Sequence, residues 1–340
     1  MKELPCNGPR VLIVKLSSLG DLFHALPAVH NLKVGLSAEI DWVTQQEYVD
    51  LVRRFTDVDR VIPFYRRSFF MDLRPFLREL RAQKYDYVID LQGLLKSAII
   101  ARLARGKKRI GPSFHREGSR LFYSAVAGKR NRNRHAVEEN LDIVRYLGLD
   151  PVEPEFPVNF PVKHLEEKRP RVAILPASRW HTKNWPVQCF INLVKYLQKT
   201  MDISVFLFGG AKDVEVCGEI ERGLDGMVVN MAGKVNLADT GGLLKEMDIL
   251  VANDSGPVHM AAAVGTPVLV VFGPTDPART GPYGDRHRIV KTSLPCQPCF
   301  SRMCRRAGSP SSRQGDVPCL SEVTPERVGE MALEMMGEKT

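Results

Sequence analysis

Four short stretches of this 340-residue chain combine residue types that can do chemistry. Asp21 follows an apolar run, Val11 to Leu16, and the turn Ser17-Ser-Leu-Gly20. A carboxylate there can cap the next helix or serve as a general base kept ionised by the positive helix end; the spacing leaves both open. Ser178-Arg-Trp-His-Thr-Lys183-Asn-Trp-Pro186 sets hydroxyl, guanidinium and ammonium groups on a loop after a second apolar run. Such a loop suits phosphate, with Pro186 as first residue of the helix that follows; the alternative is a surface loop with an aromatic anchor. In Asn253-Asp-Ser-Gly-Pro-Val-His259 a buried strand delivers Asp254, and Ser255-Gly256 turns into a helix of small residues. Its first N–H groups would face an anion, and a carboxylate beside them suits sugar hydroxyls; Asp254 or Ser255 as a plain helix cap is the other reading. Cys296, Cys299, Cys304 and Cys319 form the fourth stretch. Four thiolates suffice for a tetrahedral structural zinc or iron site, although only the Cys-x2-Cys half has standard spacing. Reduced cysteines on a loop are the alternative. An odd total of seven cysteines without a secretory signal argues against a disulfide framework.

The elements that must position these residues alternate. Arg10–Leu16, Ile40–Thr44 and Tyr85–Leu91 read as strands, each leading towards a helix, as do Arg171–Leu175, Ile203–Phe208, Asp248–Ala252 and Pro267–Phe272. Strand–turn–helix repetition predicts open, mostly parallel sheets with helices on both faces. Prolines 151, 154, 157 and 161 mark an extended crossing, after which the pattern restarts. At about 100–200 residues per domain the length agrees with two domains. The reading is therefore α/β, two doubly wound Rossmann-like domains, residues 1–160 and 161–324, with a last helix within 325–340. Ligands of such sheets bind beyond the carboxyl ends of the strands, so a cleft between the domains is the expected active site. No G-x-G-x-x-G follows the first strand and no P-loop occurs, which argues against a dinucleotide oxidoreductase or a P-loop kinase.

Hydrophobic residues make 44% of the chain and charged residues 26%, which excludes collagen-like, low-complexity and disordered classes. The longest apolar region, Ile249 to Phe272, is broken by polar residues, so no membrane span is expected, and Lys15 and Asp21 spoil any signal peptide. A cytoplasmic location follows as an expectation. The net charge of +9 is uneven: residues 1–168 hold 28 basic and 21 acidic side chains, and Lys96 to Arg134 hold twelve basic residues with one acid, Glu117. That asymmetry points to an anionic partner. Nucleic acid fits poorly, because only Phe114, Phe122 and Tyr123 offer stacking surface there.

The motifs Val14–Pro27, Lys183-Asn-Trp-Pro186, Asp254–His259 and Phe272-Gly-Pro-Thr-Asp-Pro277 resemble those of the glycosyltransferase family 9 heptosyltransferases of bacterial lipopolysaccharide synthesis. Ile89–Ser97, Arg116-Glu, Leu121-Phe-Tyr and His135–Glu138 look most like the heptosyltransferase I branch, which adds the first heptose to a Kdo-lipid A acceptor. The resemblance implies a GT-B fold with a central cleft and inverting, metal-independent transfer from ADP-L-glycero-D-manno-heptose. It makes Asp21 the base, and Ser18, Gly20, Ser178, Arg179, Lys183, Val235, Asp254, Ser255, Gly256 and His259 the donor site. Arg66, Arg67, Lys96 and Arg116 become the acceptor site. It also implies a last helix crossing back to the first domain. Heptosyltransferase II, or an enzyme that heptosylates protein, keeps fold and donor but changes the acceptor; related protein heptosyltransferases carry a comparable iron-binding cysteine cluster. A nucleic-acid-binding protein remains the alternative of a different class. An acceptor in the inner membrane would place the enzyme at its cytoplasmic face. There the basic run could hold it without an apolar anchor.

Overall fold

The computed structural model describes residues 8–66, 69–306 and 317–337. The chain divides between Asn159 and Phe160 into two compact units. In the first, the strands are β1 (Arg10–Val14), β2 (Glu39–Gln45), β3 (Arg60–Phe64), β4 (Tyr85–Asp90), β5 (Gly106–Pro112) and β6 (Ala125–Ala127). Its helices are α1 (Leu19–Leu36), α2 (Val49–Val52), α3 (Phe69–Leu80), α4 (Leu95–Leu103), α5 (Ala136–Asn140) and α6 (Asp142–Tyr146). All strand pairs are parallel, in the order β3-β2-β1-β4-β5-β6. The chain winds outwards from β1 to β3, then returns to lay β4 on the other side of β1. That reversal is the switch point of a doubly wound sheet, where ligands bind at the carboxyl ends of the strands. β1 is buried on both faces, as its unbroken Val-Leu-Ile-Val requires.

The proline-rich crossing runs extended along the first unit. Thr56 N–H donates to Pro157 O at 3.1 Å, Asn159 N–H to Arg54 O at 2.8 Å, and Val152 N–H to Asn31 Oδ1 at 2.8 Å.

The second unit repeats the winding. Its strands are β7 (Arg171–Leu175), β8 (Ser204–Leu207), β9 (Val229–Asn230), β10 (Ile249–Asn253), β11 (Val268–Val271) and β12 (Arg288–Val290). Helices α7 (Val187–Thr200), α8 (Val214–Gly223), α9 (Leu237–Lys245), α10 (Gly256–Ala263), α11 (Pro277–Thr280), α12 (Pro318–Ser321) and α13 (Pro325–Gly337) accompany them. The parallel order β12-β11-β10-β7-β8-β9 places the second switch point between β7 and β10.

The last helix, expected to cross back to the first domain, is part of the second unit. α13 packs on α7. Val328, Ala332, Met335 and Met336 enter the same core as Phe190, Val194 and Leu197. Gly329 permits the approach, since a Cβ there would meet a Tyr196 ring carbon at 2.4 Å. Among the described residues no helix is long and apolar enough to cross a membrane.

Candidate active site

In the first unit, the ends of β1 and β4 are tied together across the switch point. Lys15, buried just past β1, donates from Nζ to Leu91 O at 2.7 Å, and Gln92 Oε1 accepts from both Leu16 and Ser17 N–H at 3.1 Å. Asp90 in turn fixes the loop carrying Gln92. Its Oδ1 accepts from Gln92 and Gly93 N–H at 2.8 and 3.0 Å, and its Oδ2 from the Tyr123 hydroxyl at 2.7 Å. Burial pushes the Asp90 carboxyl above the usual carboxylate range, against those hydrogen bonds. Burial likewise lowers the Lys15 ammonium, while the charges of Asp21 and Asp90 oppose that shift.

The turn braced in this way presents Asp21. Ser18, not Asp21, is the cap residue of α1; Asp21 is its third residue, and Gly20 lies inside the first turn. Asp21 Oδ2 accepts from Ser18 N–H at 2.9 Å and from Ser18 Oγ at 2.8 Å. The carboxylate is half-buried at the start of the helix.

Arg66 is exposed after β3, and Lys96 stands in the first turn of α4 with Nζ 5.4 Å from the Phe64 ring centroid. Partial desolvation lowers the Lys96 ammonium, although the residue as a whole is exposed, and the nearby Arg66 charge adds to the effect. Arg116 is exposed, its N–H bonded to Gly93 O at 2.8 Å, and its charge acts on Lys15. Arg67 lies outside the described residues.

In the second unit the donor candidates meet at the β7–β10 switch point. Asp254, just past β10, is the hub: Oδ2 accepts from Lys183 Nζ at 2.6 Å and from Thr275 Oγ1 at 2.5 Å, and its carbonyl accepts from Ser178 Oγ at 2.9 Å. Asn184 Oδ1 accepts from Ser178 N–H at 2.8 Å. Asn253 locks the two loops together, accepting from Trp185 N–H at 3.0 Å and donating to Pro176 O at 2.6 Å. Ser255 is the cap residue of α10, and its Oγ is buried without a hydrogen-bond partner. Gly256 opens the helix and His259 is buried one turn in. Arg179 is exposed, and Val235 is half-buried on the loop between β9 and α9. Pro186 stands one residue earlier than expected, at the cap of α7. Lys15, Gln92, Asn184 and Thr275 lie in the quoted motifs but were given no role there; their roles show only in the three-dimensional pairing of the loops.

The structure gives the metal part of the cysteine expectation no support. Cys296, Cys299, Cys304 and Cys319 do line one cavity of about 550 Å³. The Cys319 thiol is pushed up to about 11 by burial and then by the other three sulfurs. Yet among the described residues no three His, Cys, Asp or Glu side chains are arranged to hold a metal. Cys296 and Cys299 are exposed, because their segment is fastened elsewhere: Thr182 Oγ1 donates to Ser301 O at 2.9 Å and Phe300 N–H to Pro274 O at 2.8 Å. Among the described residues the four thiols therefore share a cavity without forming a metal-holding group. From the same segment Arg302 stacks on Trp180 at 4.8 Å, matching Lys183 at 4.8 Å from that ring.

A family model described as glycosyltransferase family 9 (heptosyltransferase) matches residues 73–309. The chain belongs to glycosyltransferase family 9. The lipopolysaccharide heptosyltransferase 1 of Pseudomonas aeruginosa is 29% identical over 346 residues, spanning 94% of this chain and 96% of that protein. The Escherichia coli K12 protein of the same name is 30% identical over 303 residues, 83% and 93% of the two chains. The solved E. coli heptosyltransferase WaaC with ADP superposes with a TM-score of 0.79 at 27% identity, covering 96% of this chain and 99% of that one. As a family 9 member the protein is a glycosyltransferase of the GT-B fold class, built from two Rossmann-like units.

Proposed function

We propose that the protein transfers heptose from ADP-heptose to the Kdo region of a lipid A-linked inner core, with inversion at the anomeric carbon. The observation that carries this reading is the Asp254 hub, where Lys183, Thr275 and Ser178 converge beside the unpartnered Ser255 hydroxyl at the start of α10. It combines a cation, hydroxyl donors and helix N–H groups for a diphosphate with a carboxylate for sugar hydroxyls. In the bound state Lys183 turns from Asp254 to the phosphates, and Asp254 with Thr275 takes the heptose hydroxyls. Val235 lies beside the adenine, and His259 supports α10 from within.

Asp21 takes the proton of an acceptor hydroxyl, whose oxygen bonds to the anomeric carbon as the carbon–phosphate-oxygen bond breaks on the opposite face. ADP departs with the bonding pair, its growing charge met by Lys183, Arg179 and the α10 start. Arg66, Arg67, Lys96 and Arg116 bind acid groups of the acceptor, where guanidinium forks grip two oxygens at once. The acceptor's lipid places the work at the cytoplasmic face of the inner membrane.

Mass spectrometry of the product from ADP-heptose with Kdo-lipid A, heptosylated core and a protein acceptor tests the assignment. One added heptose on Kdo-lipid A alone is expected, in the inverted anomeric configuration by NMR. Transfer only to heptosylated core or to protein overturns the acceptor assignment.

A further inference from the structure

Helix α4 is apolar on its exposed side as well as its buried one. A surface helix normally buries its apolar stripe and shows polar residues to water. Here the buried residues are Ser97, Ala98, Ile100 and Ala101. The outward face reads Leu95, Lys96, Ile99, Arg102, Leu103, with the three aliphatic side chains 39–40% exposed. Their spacing of four residues keeps them on one side of the helix. A short turn, Ser119–Phe122, packs against α4 and adds Leu121 at 87% exposure, while Ser119 Oγ pins the turn to Gly93 O at 3.1 Å. Exposed cations accompany the aliphatic residues: Lys96, Arg102, Arg105, Arg116 and Arg120. The one acid between residues 95 and 121, Glu117, accepts the N–H of Leu95 at the helix start at 3.2 Å. Arg109 serves the other end, donating to Ala101 and Ala104 carbonyls at 3.3 and 3.2 Å.

We infer that α4 and the Ser119–Phe122 turn form the membrane-docking face of this protein, lying on a bilayer with anionic headgroups and inserting Leu95, Ile99, Leu103 and Leu121 among them. The inference rests on the reading of a lipid-borne acceptor. Aliphatic groups with a surround of Lys and Arg match an interfacial helix, where apolar side chains enter the headgroup boundary and cations meet lipid phosphates. A nucleic acid would instead call for stacking rings, and of the aromatic residues here Phe114 and Phe122 are half-buried and Tyr123 is buried. On this inference the basic surface carries an apolar anchor as well as its charge, where the sequence suggested charge alone.

Co-sedimentation of the full chain with vesicles of phosphatidylethanolamine and phosphatidylglycerol, against phosphatidylcholine alone, tests this. Wild type should bind the anionic vesicles and hardly the neutral ones. Leu121→Ser, at a site too exposed to threaten folding, should weaken binding about threefold, and Ile99→Ser/Leu103→Ser/Leu121→Ser about tenfold or more. Arg102→Gln/Arg105→Gln should weaken it about tenfold at low salt, with the difference shrinking as salt rises. Leu121→Ser should turn over a water-soluble, delipidated acceptor like wild type. Leu121→Ser binding as wild type does, equal binding to neutral vesicles, or a wild-type dimer that Leu121→Ser dissociates would each overturn the inference. If vesicle binding follows the expected pattern but no acceptor is heptosylated, the docking face stands and the proposed function falls.

Discussion

Asp21, the base in the proposed mechanism, is the third residue of α1 and shares a capping box with Ser18, the cap residue. Its carboxylate sits at the favourable helix end, with Oδ2 accepting from Ser18 N–H and Ser18 Oγ. Asp21→Ala should lower kcat by about 10²–10⁴-fold, while isothermal titration with ADP finds donor-side affinity unchanged. Near wild-type turnover would remove Asp21 from the mechanism. Thr275 matters through Asp254: its hydroxyl shares Oδ2 with Lys183, so Thr275→Val takes one donor from a buried carboxylate. A loss of about 1–2 kcal/mol in donor binding is expected, read by titration with ADP-heptose; no change would take Thr275 out of the donor site. The cysteines follow exposure and ionisation. Cys296 and Cys299 should alkylate quickly with iodoacetamide at neutral pH. Cys319, buried and with its thiol at about 11, should react only on unfolding. Peptide mass spectrometry at timed quenches checks the order.

At the scale of elements, the central strands were legible because β1, β7, β10 and β11 are continuous aliphatic runs buried on both faces. The sheet edges were not. β3 carries Pro63, which only an edge tolerates readily, and β6, β9 and β12 have two or three residues each. β5 was not among the expected strands, as Lys107, Lys108 and Arg109 occupy it. Each is committed locally: Lys107 Nζ to Asp86 at 2.7 Å, Lys108 over the Tyr146 ring at 4.7 Å, and Arg109 to the end of α4. Arg109→Gln should cost about 1 kcal/mol through the lost α4 contacts, measured by urea unfolding. An unchanged midpoint would show that those carbonyls are served by water. A pH effect belongs to β11. His287 Nδ1 accepts from Val268 N–H at 3.2 Å, so the neutral ring is required, and burial with Arg286 nearby lowers it from 6.5 to about 4. The folded state thus binds fewer protons than the unfolded one. Its contribution is complete above pH 6.5 and drains as pH falls towards 4. The thermal midpoint of wild type should fall through that window, and that of His287→Gln more gently; parallel curves would contradict the assignment.

Over the whole molecule, the charge excess of the first half resolves into different uses. Part of the basic run braces the sheet, part pairs with acids, as Arg134 does with Asp142 at 2.9 Å, and part stands exposed around α4. Composition alone could not separate these, because a Lys in a strand edge and a Lys on a docking face count alike. By itself the sequence determined the alternation of strand and helix, the division near residue 160, the family motifs and the loops that carry Asp21, Lys183 and Asp254. Those are local properties: hydrophobic runs, turn residues and cap residues act over a few positions. Only the tertiary structure decided which loops meet. Gln92 lies 75 residues from Ser17, and Lys183 is 71 from Asp254. The partners are joined because parallel winding sets the ends of non-consecutive strands side by side. The same packing placed α13 on α7, drew four cysteines around one cavity, and turned Leu95, Ile99 and Leu103 outwards. None of these follows from spacing, since each depends on which face of an element finds a neighbour.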